Sequence, residues 1–253
     1  MNINNPTNSQ ISALRALWKE AFGDTDEFLD IFFRTAFHPK RCRCIFDGER
    51  AVAALYWFVC TYADKPVAYI YAVATAGSHR GQGLCRKLMA DTHKHLATHG
   101  YEAALLVPGS KELFEMYEKM GYTVCSSIRE FHCEANSEDL LLCEINKTEY
   151  AHLRKFLLPA GSVIQEHENL DFLETIAKFY MGHGFLLAAH GEGSTLFGYE
   201  LLGDKSHVPA IVHTLGFSEG VFRTPGGSRP FAMYYPLTDN EITSPIYFGF
   251  AFD

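Results

Sequence analysis

The residues with the clearest chemical potential are the glycines and small polar residues from Ala76 to Gly83. They sit inside the stretch Y-I-Y-A-V-A-T-A-G-S-H-R-G-Q-G-L-C-R-K-L, Tyr69 to Leu88. Tyr69 to Thr75 is apolar, β-branched and aromatic and follows the break at Pro66, so it is predicted to be a strand. Leu84, Leu88 and Leu96 recur at helical spacing with Arg86, Lys87 and Lys94 between them, which predicts an amphipathic helix. A helix start presents free N–H groups and the positive end of its dipole, and glycines let the backbone approach a ligand closely. Strand, Gly-rich turn and helix together therefore make an anion site. The loop lacks the G-x-x-x-x-G-K-[ST] pattern of nucleotide-phosphate loops. As a dinucleotide fingerprint it fails at Arg86, where a third glycine is required, and the elements ahead of it read as hairpins rather than a βαβ unit. A strand–turn–helix without a ligand is the alternative at this point.

Other reactive side chains are less organised. Cys42 and Cys44 share a strand face, but no second Cys or His pair lies at a useful spacing, so no metal site is expected. His93, His95 and His99 follow the loop at offsets that do not share one helix face, and they read as solvated residues. Glu20, Asp24, Asp26 and Glu27 place carboxylates on the first helices. Phe28, Phe32, Phe33 and Phe37 crowd the same region and read as core packing rather than a substrate cage.

The elements that must position these residues follow from periodicity and punctuation. Ile11, Leu14, Leu17, Trp18 and Phe22 form one helix face, capped by Asn8 or Ser9 and stopped by Gly23. A second helix is capped by Asp24 or Thr25 and ends before Pro39. Strands are predicted over 41–46, 51–62 and 67–75, with Asp47-Gly48 as a hairpin turn. After the helix from Leu84, a strand over 102–107, a short helix capped by Ser110 and a strand over 122–133 complete the first part. The polar stretch Glu134–Asp139 marks a boundary. Beyond it come a strand over 140–145 and a helix opened by the Asn146/Glu149 capping box. A helix capped by Asn169 and running to Phe179 or Tyr180 follows. Then come strands over 185–189 and 195–202, a short helix over 208–215, and strands over 231–236 and 246–252. No Gly-rich anion loop follows a strand in this second half.

The chain has 253 residues, enough for one large domain or two modest ones, and 47% apolar residues supply a core and argue against disorder. No apolar run is long enough to span a bilayer, and the N-terminus lacks a signal-peptide pattern, so no membrane association is expected. The seven cysteines have no framework spacing and fit reduced thiols in a cytoplasmic protein. A net charge of −8 without a dense Lys/Arg cluster argues against a nucleic-acid partner and favours a cationic one such as an amine.

Two motifs in order carry a family resemblance. Arg80-Gly81-Gln82-Gly83-Leu84-Cys85 resembles the R/Q-x-x-G-x-G/A loop of the GNAT acetyltransferase superfamily, with Cys85 where Gly or Ala is usual. P-G-S-K-E-L-F-E-M-Y-E-K-M-G-Y, Pro108 to Tyr122, resembles that superfamily's second motif. The resemblance implies an α/β GNAT fold, a central mixed sheet flanked by helices, over residues 1–135. The second half, residues 140–253, resembles the degenerate GNAT-like α+β domain of enhanced-intracellular-survival-type acetyltransferases. Acetyl-CoA is then the cosubstrate, with no metal, and the acceptor is an amine of a small molecule or peptide. The diphosphate is expected on the amides from Arg80 through Gly81, Gln82, Gly83 and Leu84 to Cys85. The thioester carbonyl is expected on the strand at Ala72, Val73 and Ala74, which pantetheine can join like an added strand. Direct attack needs a neutral amine, a polarised carbonyl and a proton for the leaving thiolate. Tyr117 falls where the second motif places that acid, and a phenol near ~10 is a competent donor to a thiolate near ~8.5.

The strand before the loop carries no acid, so the base lies elsewhere. The carboxylates of the first helices are open to that role. So is Asp253, at the end of the apolar run S-P-I-Y-F-G-F-A-F-D, which reads as a buried strand; the resemblance places a terminal carboxylate in the active site. The rival reading is a protein that binds acyl-CoA without turnover. Acceptor identity, acyl-chain preference and oligomeric state are not legible here.

Overall fold

The 75 residues of helix and hairpin that precede the loop explain most of the first sheet. The computed structural model describes residues 2–240 and 243–252. After a short strand β1 (Ile3–Asn4), α1 (Ile11–Phe22) follows a 3-10 turn that Thr7 caps, not Asn8 or Ser9, and Gly23 ends it in the left-handed region at φ 78°. Thr25 caps α2 (Asp26–Thr35) by accepting the Phe28 N–H at 3.2 Å. The hairpins β2 (Cys42–Asp47), β3 (Arg50–Tyr62) and β4 (Lys65–Thr75) come next. Then follow α3 (Leu84–Thr98), β5 (Ala103–Leu106), α4 (Lys111–Glu118) and β6 (Thr123–Val124).

The strand predicted over 122–133 is two strands. It breaks after β6 and resumes as β7 (Ser127–Glu134). Between them the Cys125 and Ser126 amides both donate to the Ala232 carbonyl, at 3.0 and 3.3 Å, which takes them out of either ladder. The chain continues through β8 (Leu142–Ile145), α5 (Lys147–Leu157), α6 (Glu168–Ile176), β9 (Lys178–Gly182), β10 (Phe185–Glu192) and β11 (Thr195–Gly203). It closes with α7 (Val208–Thr214), β12 (Glu219–Pro225), β13 (Arg229–Pro230) and β14 (Met233–Pro236). The Asn146/Glu149 capping box forms as expected. Asn169 does not cap α6. It lies inside the helix, buried, and donates to the Glu166 carbonyl at 3.0 Å. That helix stops at Ile176, because Lys178–Gly182 pairs with β10 across the turn at Gly184. Residues 247–252 are buried but form no named strand, and Ile246 is exposed; one bridge joins Tyr247 to Ser162.

Two seven-stranded sheets result, in the orders β1-β2-β3-β4-β5-β14-β6 and β13-β7-β12-β11-β10-β9-β8. The compact units are Met1–Thr123 with Met233–Thr243, and Val124–Ala232 with Ser244–Asp253. The polar stretch Glu134–Asp139 follows β7, which pairs antiparallel with β12 in the second sheet; β14 pairs with β5 in the first.

In the first unit β3 is buried almost throughout, as a strand covered on both faces must be. Neighbouring strand residues point to opposite faces. Tyr56 meets Trp18 of α1 with ring centroids 5.1 Å apart, and Trp57 meets His95 of α3 at 5.8 Å, so α1 and α3 cover opposite faces. Arg43 of β2 ties α3 down through Asp91, its Nε donating at 2.9 Å. Of the aromatic residues of α1 and α2, Trp18 and Phe32 pack as core, each 1% exposed with centroids 4.5 Å apart; Phe28 and Phe33 are half-buried and Phe22 is exposed.

In the second unit a buried ion pair organises the interior. Arg154 of α5 donates through Nε to Glu200 of β11 at 2.6 Å; the two are 2% and 0% exposed. Tyr150 and Tyr247 donate to the same carboxylate at 2.7 and 3.0 Å. Gln165 takes the Phe250 amide at 3.2 Å and returns a bond to the Phe250 carbonyl at 2.7 Å. The segment leading to the chain end is thus held by polar side chains as well as by its rings. Asp253 itself lies outside the described residues.

Candidate functional site

The site begins at an irregularity in β4. Ala54 pairs with Ala74 and Tyr56 with Tyr71, so Leu55 alone faces Ala72 and Val73. Ala72 absorbs the extra residue at φ 48°, a conformation that costs an L-residue energy and marks a designed bulge. On its other side β4 pairs with β5 only from Val67 to Tyr69. Beyond Tyr69 that edge has no strand partner among the described residues. Ala72 and Val73 are half-buried there and Ala74 is buried. An extended ligand amide can pair with such an edge.

The loop beyond β4 is fixed at its start and open at its end. The Ala76 amide donates to the Val52 carbonyl at 2.9 Å, and the His79 amide closes a 3-10 turn on Ala76 at 2.8 Å. Arg80 and Gln82 fold their side chains back onto the carbonyls of Thr75 and Ser78, at 3.2 and 3.3 Å. Gly81 and Gly83 both take φ 75°, which glycine adopts without penalty. Gly83 is the N-cap of α3 and brings no side-chain cap. The Arg80 amide, expected to face the diphosphate, instead donates to the Gly77 carbonyl at 3.4 Å, closing the 3-10 turn; among the described residues the amides from Gly81 to Cys85 donate to no protein acceptor. A Cβ on Gly81 or Gly83 would meet nothing within 4 Å, so the turn is open at both glycines. The donors and the clearance fit a diphosphate.

Tyr117 lies beside this helix start. Ser110 caps α4, accepting the Leu113 amide at 3.4 Å, and Gly121 at φ 94° turns the chain so that Tyr122 folds back. The Tyr117 ring is 6% exposed and meets the Tyr122 ring edge-on at 5.7 Å. Burial, and next the Cys85 thiol, push the Tyr117 phenol well above its ordinary value, so it stays protonated. That influence puts Cys85 in its neighbourhood; burial raises the Cys85 thiol too, so both remain neutral.

Beneath Tyr117 is a cluster that spacing did not show. His93 is not a solvated helix residue: its Nε2 meets the Tyr122 hydroxyl at 2.7 Å, and its ring stacks on Tyr235 of β14 at 4.2 Å. Burial lowers its pKa to about 4, so the imidazole is neutral. No local sequence signal could reveal this, because Tyr235 arrives from the far end of the chain.

The carboxylates of the first helices are engaged elsewhere. Glu20 accepts the Gly77 amide at 2.8 Å and Arg50 at 3.0 Å. Asp24 accepts the Trp18 indole N–H at 2.7 Å, and Asp26 pairs with Lys19 at 2.8 Å. Glu27 is exposed. Among the described residues no group of three or more His, Cys, Asp or Glu could hold a metal ion, and no helix is long and apolar enough to cross a membrane.

Residues 2–125 match the family model described as an acetyltransferase (GNAT) domain. That match, just under half of the chain, gives these residues the likeness of a GNAT acetyltransferase domain, and acetyl-CoA-dependent acyl transfer is the class of reaction it supports. Solved structures extend the likeness of fold across both units. A GCN5-related N-acetyltransferase from Anabaena variabilis superposes with a TM-score of 0.74 at 14% identity, over 94% of this chain and 73% of that one. Its counterpart from Kribbella flavida gives 0.71 at 14% identity, over 93% and 70%. Eis1 from Mycobacterium abscessus gives 0.66 at 10% identity, over 94% and 74%. No curated protein matches the chain. Among the described residues, no strand of the second unit opens a helix through paired glycines as Gly81 and Gly83 do between β4 and α3.

Proposed function

We propose that this GNAT enzyme transfers an acetyl group from acetyl-CoA to an amine by direct attack. The observation that carries the reading is the run of unused amides from Gly81 to Cys85 beside the unpaired edge of β4. The diphosphate takes those amides, and pantetheine lies along the edge, where a backbone N–H among Ala72, Val73 and Ala74 polarises the thioester carbonyl. Fixed donors aimed at developing negative charge need no reorganisation during the reaction. Tyr117 returns a proton to the leaving thiolate; its buried, neutral phenol suits that role. The base we assign to Asp253 on the resemblance, supported by the burial of Tyr247 to Phe252, which lead to it.

The test is thiol release from acetyl-CoA across a panel of amines: aminoglycosides, polyamines, amino acids and peptides. Wild type is expected to release thiol with at least one class. Tyr117→Phe should lower turnover by about 10²-fold, the scale of general acid catalysis, while CoA affinity holds. Deleting Asp253, or appending a C-terminal tag to it, should also cut turnover sharply. CoA binding without release from any amine would instead identify an acyl-CoA sensor, and full activity in either variant removes that residue from the mechanism.

A further inference from the structure

We propose that Glu20 is a positioning residue for the coenzyme loop: its carboxylate, carried by α1, holds the Gly77 amide so that the amides from Gly81 to Cys85 stay aligned on the diphosphate. The inference rests on the diphosphate reading of that loop.

Glu20 lies on the exposed side of α1, where a carboxylate would ordinarily be left to water. Instead both of its oxygens are committed. Oε1 accepts the Gly77 N–H at 2.8 Å, and Oε2 accepts Arg50 Nη2, from the start of β3, at 3.0 Å. The Gly77 bond and Arg50 together hold the carboxyl below the usual range, so it is ionised at neutral pH.

Gly77 is the residue at which the loop leaves the sheet. Ala76 is pinned to Val52, and the 3-10 turn Gly77–His79 hangs from that point. Past the turn, the chain up to Gly83 is held by its own side chains, Arg80 and Gln82, and by two glycines in the left-handed region. Such a segment has few restraints of its own. A hydrogen bond to a charged acceptor at its root limits the arc through which the later amides can swing. A second contact from outside, His79 Nε2 to Asp47 at 3.7 Å, is too long to do this by itself.

Charge alone predicts the opposite effect of substitution. A carboxylate near a diphosphate repels it, even with Arg50 and Arg80 nearby, so deleting Glu20 would tighten coenzyme binding if electrostatics were its whole role. If it holds the loop, deletion weakens binding. The sign separates the two.

The experiment is calorimetric binding of CoA and of pantetheine, which lacks the diphosphate, to the full chain and its Glu20→Ala and Glu20→Gln variants. Wild type should bind CoA far more tightly than pantetheine. Glu20→Ala should weaken CoA about fivefold, the upper range for an exposed charged contact, and leave pantetheine unchanged. Glu20→Gln keeps an oxygen for the Gly77 amide and should retain most of the affinity. If wild type binds the two ligands equally, the diphosphate reading fails and Glu20's role with it. If wild type discriminates but Glu20→Ala binds CoA as well or better, or loses both ligands equally, the proposal is overturned and the loop reading stands.

Discussion

Tyr117 and His93 sit one layer apart and are both kept neutral by burial, with opposite consequences for pH. A phenol pushed upward stays protonated well beyond neutral pH, the state that the role proposed for Tyr117 requires. His93 is shifted down, from 6.5 to about 4. Between those limits the unfolded chain takes up a proton that the folded chain refuses, so folded stability falls as pH drops through the window and is unaffected above it. The contribution to the slope is at most ~1.4 kcal/mol per pH unit. Measuring urea stability from pH 7 to 4 in wild type and His93→Gln should show a flatter dependence in the variant, whatever its absolute stability. Equal slopes would mean that the imidazole titrates normally and is not sealed under Tyr122 and Tyr235. This cluster was not legible in the sequence. Its helical offsets are correct, but whether a helix face is wet depends on what packs against it, and Tyr235 is supplied by a strand formed much later in the chain.

At the scale of elements, the strand–loop–helix unit was legible because its causes are local. A β-branched run, a pair of glycines and an amphipathic repeat each restrict φ and ψ within a few residues. The glycines offer a controlled comparison. Gly83 at the start of α3 and Gly48 in the β2–β3 hairpin both hold positive φ, 75° and 58°, and a Cβ at either meets nothing within 4 Å. Alanine at each should therefore cost a similar ~1–2 kcal/mol of stability from backbone strain alone. Only Gly83→Ala should also weaken CoA binding, because it turns the Leu84 and Cys85 amides. Parallel melting and binding titrations check this, and equal CoA affinity in the two variants would move the diphosphate off this turn. The bulge at Ala72 was not foreseen. Ala72 is the sixth of the nine ordinary strand formers or small residues from Val67 to Thr75, and its left-handed φ follows from the register of β3 against β4, not from its own preference.

For the whole molecule, the decisive facts are pairings between distant strands. Each sheet is completed by segments far apart in the chain, β14 beside β5 in one and β7 beside β12 in the other. The second unit further depends on the Arg154–Glu200 pair, which is buried and fully hydrogen-bonded. Removing one partner of such a pair leaves an uncompensated charge, at a cost of ~3–5 kcal/mol. Glu200→Gln should therefore destabilise the full chain by that order in chemical denaturation. The loss should be accompanied by early exposure of the segment around Tyr247 and Phe250 in hydrogen exchange, since Tyr247 bonds to Glu200 and Gln165 bonds to Phe250. A loss below ~1 kcal/mol would show that the pair is hydrated and not a buried anchor.

The amino-acid sequence alone determined the helices, most of the strands, the glycine-rich turn and the tyrosine that follows it. These rest on backbone preferences and periodicities that act over a handful of residues. Only the tertiary structure decided which strands became neighbours, that His93 packs against Tyr122 and Tyr235, that Ala72 is bulged and that Glu20 reaches the root of the loop. Strand partners, burial and cross-chain hydrogen bonds are properties of pairs of distant residues, and a single run of letters carries the members of each pair without saying which will meet.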